Sequence, residues 1–462
     1  MESFDALVIG TGQAGKPLAR ALGAAGLRTA IVEKGRVGGT CIINGCTPTK
    51  TMIASARIAH LARRAGDFGV QVGAVAVDIG RVRERKRDIV DAFSTDAAEG
   101  LREAEGVQLI FGKARFAGDH RLRISEPTGG TRELTAPRIF IDTGSRPRLP
   151  DVDGLGDVPW LDNGSIMELS RVPEHLLILG GGAIGLEFGQ MFRRLGADVT
   201  IVEASERLVG REDPEVSETL AEILGEEGIQ LRLNVDATAA EPVEGGVRLR
   251  LRGPRGEETL EGSHLLVAVG RRPNTDDLGL ENTTIRRTEE GFIEVDDQLR
   301  TGVEGVWALG EVNGGPPFTH VAFDDYRIVK RNVLGDGGGT RVGRIPTYTL
   351  FTDPQLGRVG ATEAEARDEG HDVRVARIPT KRVARARETD ERRGFLKAMV
   401  ETGTGRILGA SILAPQGGEI AAQIQIAMLG GLPASALRDG MFAHPTWAEA
   451  LNTLFGAVED GE

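Results

Sequence analysis

Cysteine is nearly absent from this chain of 462 residues, which has only Cys41 and Cys46. So low a count excludes a disulfide-stapled secreted fold, and a chain this long builds a sufficient core without staples. Two cysteines also fall short of a four-ligand thiolate site, so no metal centre is expected. Aromatic residues amount to 4%, too few for a base-stacking nucleic-acid platform. Bases are outnumbered, 56 against 68 acids, giving a net charge of −12. A surface of that sign repels a phosphate backbone, and no nucleic-acid partner is expected. Lysine is scarce, arginine supplying most of the positive charge. No apolar run approaches the ~20 residues of a membrane span, and Met1-Glu2-Ser3-Phe4-Asp5 is acidic where a secretion signal is basic. The chain reads as a cytoplasmic protein, away from membranes, of two to four domains at about 150 residues each.

Glycine is the opposite case: 64 residues, about twice the usual share and without a collagen period. Much of it falls in one repeated pattern. An apolar strand, Phe4 to Ile9, runs into Gly10-Thr-Gly12-Gln-Ala-Gly15, a helical stretch to Ala25, and a second strand, Arg28 to Glu33. The unit recurs as Leu176 to Leu179, Gly180-Gly-Gly182-Ala-Ile-Gly185, a helix to Leu195, and Asp198 to Glu203. In both copies the first glycine precedes the acid by 23 positions. One such glycine turn is weak evidence, but two in matching strand–helix–strand frames predict two bound dinucleotides. The glycines let a diphosphate approach the helix N-terminus, and Glu33 and Glu203 accept hydrogen bonds from ribose hydroxyls. A second repeat, Gly144-Ser-Arg-Pro147 and Gly270-Arg-Arg-Pro273, follows two further apolar strands, Ile139 to Thr143 and Leu265 to Val269. These read as exit strands of the two units, each turning into a crossover. A polar helix over Arg81–Glu105 is expected to face solvent. Beyond about Ile345 strands alternate with apolar helices and no glycine turn occurs, predicting a separate α+β domain.

The two cysteines lie close together in a glycine-rich segment. Cys41 is placed in the loop after Val37-Gly-Gly-Thr40. Cys46 precedes Thr47-Pro48, with Thr47 read as helix cap and Pro48 as first helical residue. A helix N-terminus favours a thiolate at Cys46, so the pair reads as a redox dithiol, with two inert buried thiols as the alternative. Lys50 lies one turn on, on the Cys46 side. Glu187 follows the second glycine turn and is a candidate partner for it. Near the end of the chain, His444-Pro445 reads as a helix start, with Glu449 close enough to hold the imidazole as a general acid–base.

Those segments, Gly38-Gly-Thr-Cys41-Ile-Ile-Asn-Gly-Cys46-Thr-Pro-Thr-Lys50 and His444-Pro-Thr-Trp-Ala-Glu449 above all, resemble the flavin-dependent pyridine nucleotide–disulfide oxidoreductases. The likeness extends to Thr301–Glu311 and Phe351-Thr-Asp-Pro354 and covers essentially the whole chain. It implies an α/β protein with two Rossmann-like domains and a C-terminal dimerisation domain. The division expected is FAD-binding over 1–147 and 274–343, NAD(P)-binding over 148–273, and dimerisation over 344–462. FAD would lie on the first glycine turn and NAD(P)H on the second, with NADH favoured because Glu203 repels a 2′-phosphate. Hydride would pass to the flavin and the electrons to a Cys41–Cys46 disulfide. Cys46 would be flavin-proximal, Cys41 would exchange with substrate, and Lys50 and Glu187 would pair beside the flavin and nicotinamide. His444 and Glu449 would serve the partner subunit's disulfide in a homodimer. Gly39, Thr40, Ala114, Thr143, Gly144, Gly270, Gly310 and Glu311 are implied as further cofactor-binding positions, Glu311 replacing the family's aspartate. Phe318-Thr-His-Val-Ala-Phe-Asp-Asp325 is most similar to a mercuric-reductase-like subgroup that includes reactive-chlorine-stress reductases. The substrate expected is a small disulfide, a dithiol or a soft electrophile. Dihydrolipoamide oxidation is the leading named alternative. Metal-ion reduction and flavin transhydrogenation without thiol chemistry follow it, the missing third cysteine arguing against turnover of Hg(II).

Overall fold

The computed structural model describes residues 1–458. Strand β1 (Ala6–Ile9) is apolar at every position and fully buried, and β2 (Thr29–Glu33) is buried until its terminal acid. Unbroken apolar runs of this kind suit a parallel sheet covered on both faces. Helix α1 (Gly15–Ala24) links the two strands, and α2 (Gly39–Ile43), α3 (Cys46–Arg63) and α4 (Ile79–Arg102) follow. Strands β3 (Val107–Phe111) and β4 (Ile139–Ile141) then join a parallel sheet of order Val306–Ala308, β4, β1, β2, β3. A strand far down the chain therefore completes the first sheet. The polar helix α4 faces solvent over most of its surface, as its composition suggests, but not all round. One stripe, Ile79, Lys86, Val90, Ser94, Ala98 and Leu101, is buried, and Lys86 is satisfied there by Glu168.

The second unit repeats the plan. β5 (Ser145–Pro147) leads towards β6 (His175–Leu179), α5 (Ala183–Leu195), β7 (Asp198–Glu203), α6 (Pro214–Glu226), β8 (Gln230–Leu233) and β9 (His264–Val267). Its parallel sheet runs Trp160–Leu161, β9, β6, β7, β8. The two Gly-x-Arg-Pro exits do more than turn away from their sheets. β5 pairs antiparallel with β10 (Arg271–Pro273), Ser145 opposite Pro273 and Pro147 opposite Arg271, so the exits clasp each other. Helix α7 (Thr319–Leu334) returns to the first unit. The remainder is the expected α+β domain: a five-stranded antiparallel sheet from Thr347–Leu350 to Ile407–Ala414, with α8 (Gly417–Leu429) packed across it.

This C-terminal sheet is fastened to the second unit by buried charge. Lys397 is 1% exposed; its Nζ lies 2.5 Å from Glu215, 2.8 Å from Glu363 and 3.6 Å from Asp213. Arg358, equally buried, meets Asp213 at 3.3 Å and Glu212 at 3.4 Å. Burial pushes the Glu212 carboxyl up to about 7. Removing one partner from such a cluster leaves the others charged and unpaired. Lys397→Met should therefore lower stability by about 3–5 kcal/mol, read as a shifted urea midpoint. An unchanged midpoint would show that the cluster holds nothing.

Candidate active site

The two glycine turns have the same internal geometry. Gly10 and Gly180 have φ of +104° and +109°, a region favouring glycine, and a Cβ on either would strike the facing carbonyl of Asp142 or Ala268. Gly15 and Gly185 likewise pack against the first glycine of their own turn. Glu33 Oε2 accepts the Thr11 N–H at 3.1 Å and Oε1 the Gly35 N–H at 2.9 Å. In the second copy Glu203 Oε2 accepts Gly181 N–H at 2.6 Å and Oε1 accepts Ser205 N–H at 2.8 Å. Gly182 caps α5, and neither α1 nor α5 has an acid in its first turn or a side-chain bond from its capping residue, although Asp142 Oδ2 takes the Gly15 N–H of α1 at 2.7 Å. Open amides at a helix start suit a phosphate, and an acid at the following strand tip suits a ribose. Both sites fit a dinucleotide.

The copies differ at Thr11. Thr11 Oγ1 donates to Glu33 at 2.5 Å and accepts the N–H of Gly38 at 3.1 Å, while Lys16 Nζ donates to the Gly38 carbonyl at 3.0 Å. Gly181 stands where Thr11 does and offers no such bond. Gly39 packs on Gly12 so closely that a Cβ would lie 2.8 Å from the Gly12 Cα. The first turn thus grips the segment carrying the cysteines.

That segment departs from its sequence reading in two ways. Cys41 sits inside the short helix α2, capped by Gly38, with the Thr40 carbonyl accepting Asn44 N–H, rather than in a loop. Helix α3 begins at Cys46 itself, with Gly45 before it, so Thr47 is no cap and Pro48 is third in the helix. The proline is harmless there because first-turn amides have no intrahelical acceptor. Both cysteines are free thiols, Cys41 half-buried and Cys46 exposed. Cys46 Sγ lies 3.2 Å from Thr319 Oγ1, at the first turn of α7. The Cys41 thiol, Thr319 and Lys50 pull Cys46 down to about 6, against the partial desolvation of its sulfur. Cys41, which donates to Cys46 and is desolvated, is pushed far up. The arrangement is one thiolate beside one thiol. Thr319 falls within the run Phe318–Asp325, and nothing local in the sequence signals its contact with sulfur.

Lys50 and Glu187 meet as expected: Lys50 Nζ to Glu187 Oε2 is 2.7 Å. Glu187 is buried, its Oε1 accepts the Phe351 N–H at 2.9 Å, and Lys50 lies 4.8 Å above the Phe351 ring. Thr143 and Asn274 exchange hydrogen bonds at 3.1 and 2.8 Å, tying β4 to the residue after β10. Gly144 and Gly270 turn with φ of +63° and +114°. Gly310 donates its N–H to Asp325 at 2.8 Å. Glu311 engages Ser145, and Arg271 lies 3.3 Å away. Ala114 lies in the apolar core beside the first sheet. His444 Nδ1 is 2.8 Å from Glu449 Oε2, forming the expected pair, but no helix starts at Pro445. Residues 441–446 form an extended stretch and turn through a cis His444–Pro445 peptide, and the last helix runs Ala450–Gly456. His444 faces solvent. Among the described residues no helix is long and apolar enough to cross a membrane, and no group of three or more His, Cys, Asp or Glu is placed to hold a metal ion.

Residues 4–325 match the family model described as pyridine nucleotide-disulphide oxidoreductase, and 346–455 match that family's dimerisation domain. A probable pyridine nucleotide-disulfide oxidoreductase, RclA of Escherichia coli K12, is 38% identical across 99% of this chain and 100% of its own. A mercuric reductase of Streptomyces lividans is 36% identical over 97% and 94%, and a dihydrolipoyl dehydrogenase of Geobacillus stearothermophilus 32% over 96% and 94%. The solved structure of the Cu(II) complex of the HOCl-induced flavoprotein disulfide reductase RclA from Escherichia coli superposes with a TM-score of 0.90, at 36% identity and 99% of each chain.

Hydrogen bonds donated to a thiolate lower its pKa, and the thiolate is the reactive form. Alkylation of Cys46 in the reduced protein should therefore rise with pH to a plateau with a midpoint near about 6. Thr319→Val should move that midpoint upward and Thr319→Ser should restore it, measured as iodoacetamide rates against pH. A Thr319→Val profile identical to wild type would remove the hydroxyl from the account.

Proposed function

The chain belongs to the pyridine nucleotide-disulfide oxidoreductases, and from that premise we propose how its residues divide the work of an FAD-dependent NAD(P)H:disulfide oxidoreductase. Bound FAD supplies the two-electron chemistry between nicotinamide and dithiol. Gly10, Gly12, Gly15 and Glu33 hold FAD, with residues 1–147 and 274–343 as its domain. Gly180, Gly182, Gly185 and Glu203 hold the nicotinamide dinucleotide within 148–273. The observation that carries the division of roles is the asymmetry of the cysteines, one favoured as thiolate and one held as thiol.

Cys46 is the resident thiolate, kept charged by Thr319 and Lys50. Cys41 is the exchanging thiol. Once deprotonated it attacks one sulfur of a substrate disulfide, and the substrate S–S bond breaks as the mixed disulfide forms. The leaving thiolate takes a proton. Cys46 then attacks the Cys41 sulfur, releasing the second thiol and leaving the Cys41–Cys46 bond, so two electrons have reached the substrate. A proton carrier is needed at Cys41. His444, exposed and held by Glu449, is suited to that task in the partner subunit's site. The dimerisation-domain match supports a homodimer, as do the exposed apolar side chains Ile426, Leu429, Leu432 and Met441 of the same domain. Lys50, half-buried, and the buried Glu187 form a charge pair beside the cofactors.

The substrate we favour is a small disulfide or a soft electrophile. A Cu(II) complex of one relative and the mercuric reductases among the others put soft metal ions within the range to test. Steady-state rates with lipoamide, glutathione disulfide, Cu(II), Hg(II) and quinones should single out an acceptor whose reduction falls at least about 100-fold in both Cys41→Ser and Cys46→Ser. Retention of full activity in either variant would overturn the thiol route and favour a flavin transhydrogenase.

Glu203, already aligned by two backbone amides, leaves no room for a second negative charge at the ribose. NADH should therefore exceed NADPH in kcat/KM by about tenfold or more, and Glu203→Ala should narrow the gap. A wild-type preference for NADPH would sink the assignment.

A further inference from the structure

Asp142 follows β4 and is 7% exposed beneath the first glycine turn. Its Oδ2 accepts the Gly15 N–H at 2.7 Å. A Cβ on Gly12 would lie 2.5 Å from Oδ2 and 2.9 Å from Oδ1, and one on Gly310 would lie 3.4 Å from Oδ1. The carboxyl group is thus lodged among Gly12, Gly15 and Gly310, at the start of α1 where a diphosphate would rest. The second copy supplies an internal control. Asp142 N–H bonds to the Ile9 carbonyl at 2.8 Å, as Ala268 N–H bonds to that of Leu179 at 2.7 Å. Asp142 and Ala268 are therefore structural equivalents, and only the first turn carries an acid there.

An ionised carboxylate in that niche would oppose the charge of a diphosphate at short range. Its charged neighbours cannot offset this. From α1 comes Lys16, whose Nζ is engaged by the Thr11 and Gly38 carbonyls. From α7 comes Asp325, ion-paired with Arg344 at 2.5 Å. Glu311 follows Gly310 and engages Ser145, and Glu33 on β2 is held by Thr11. Burial above all pushes the Asp142 carboxyl up to about 8, against the Gly15 N–H and Lys16, with Asp325 and Glu311 adding to the rise.

We propose that Asp142 is an FAD-binding residue that works as an un-ionised acid, accepting the Gly15 N–H on one oxygen and donating a hydrogen bond to the FAD diphosphate from the other. FAD binding then requires a proton on Asp142. As pH rises past about 8, that proton must be recovered on binding, and affinity falls by about tenfold per pH unit. The diphosphate itself stays fully ionised over this range. The NAD(P)H turn, with Ala268, should show no such dependence.

The proposal rests on the FAD reading of the first turn, and the test separates the two. The FAD dissociation constant of the holoenzyme is measured by flavin fluorescence on dilution, between about pH 6.5 and 9.5. Wild type should weaken about tenfold per unit in the upper part of that range. Asp142→Asn, neutral at every pH, should bind within a few-fold of wild type near neutrality and show a flat profile. Lys16→Met should keep the wild-type slope. A slope that persists in Asp142→Asn or vanishes in Lys16→Met would overturn the proposal, as would a flat wild-type profile with FAD bound. No FAD binding at any pH would instead remove the FAD reading itself and the proposal with it. Should Asp142→Asn fail to fold, the wild-type holoenzyme at neutral pH should show the infrared band of an un-ionised carboxyl that shifts when FAD is released. Absence of that shift would equally refute it.

Discussion

Glu187 is the point at which three parts of the chain are held in register. One oxygen takes the ammonium of Lys50 from the helix that begins with Cys46, and the other takes the amide of Phe351 from the entrance to the C-terminal sheet. Glu187 itself belongs to the helix that opens the second glycine turn. A buried carboxylate must find partners or lose its charge, so burial at this position dictates where α3 and the C-terminal sheet can sit. The dithiol, the second dinucleotide site and the dimerisation domain are thereby indexed to one side chain. The ring of Phe351 beneath the Lys50 ammonium adds a cation–π contact and narrows the freedom of that charge.

The twin glycine turns separate what the motif demands from what this chain adds. Both acids are held by the amide after the first glycine and by the amide two residues beyond the acid, which is the geometry the pattern needs. Thr11 and Asp142 have no counterpart in the second copy, where Gly181 and Ala268 stand. Thr11 ties the turn to Gly38 at the cap of α2, and Asp142 lies beneath Gly12 and Gly15. The first turn therefore serves as a scaffold for the cysteine segment as well as a cradle, a duty the second turn does not have.

Much of this was legible in the sequence because it is written locally. Fully buried parallel strands appear as unbroken apolar runs, glycine turns as glycines at positions of positive φ, and the acids at fixed distance from them. The ion pair of Lys50 with Glu187 and the pairing of His444 with Glu449 were also legible, from spacing and chemistry together. What failed was local propensity overruled by surroundings. Thr47 and Pro48 form a good helix start, yet the helix begins at Cys46, since a proline third in a helix costs no hydrogen bond. His444-Pro445 looks like another such start, and the chain there makes a turn that still delivers His444 to Glu449. Thr319 and Phe351 were out of reach because their contacts cross from one unit to another, and no short pattern encodes a partner hundreds of residues away.

The buried cluster around Lys397 and Arg358 bears on how the chain can be divided. Its two cations belong to the C-terminal sheet, whereas Glu212, Asp213 and Glu215 belong to the segment entering α6. A C-terminal piece made by itself would keep only Glu363 beside Lys397 and would leave Arg358 without a carboxylate on a face shaped to be dry, and its complement would carry an acidic patch with nothing to neutralise it. Neither half would be at ease in water, and cutting the glycine-rich stretch near Gly337 would leave the fragments bound to one another. The two halves form one cooperative body joined by ions, although their sheets share no strand.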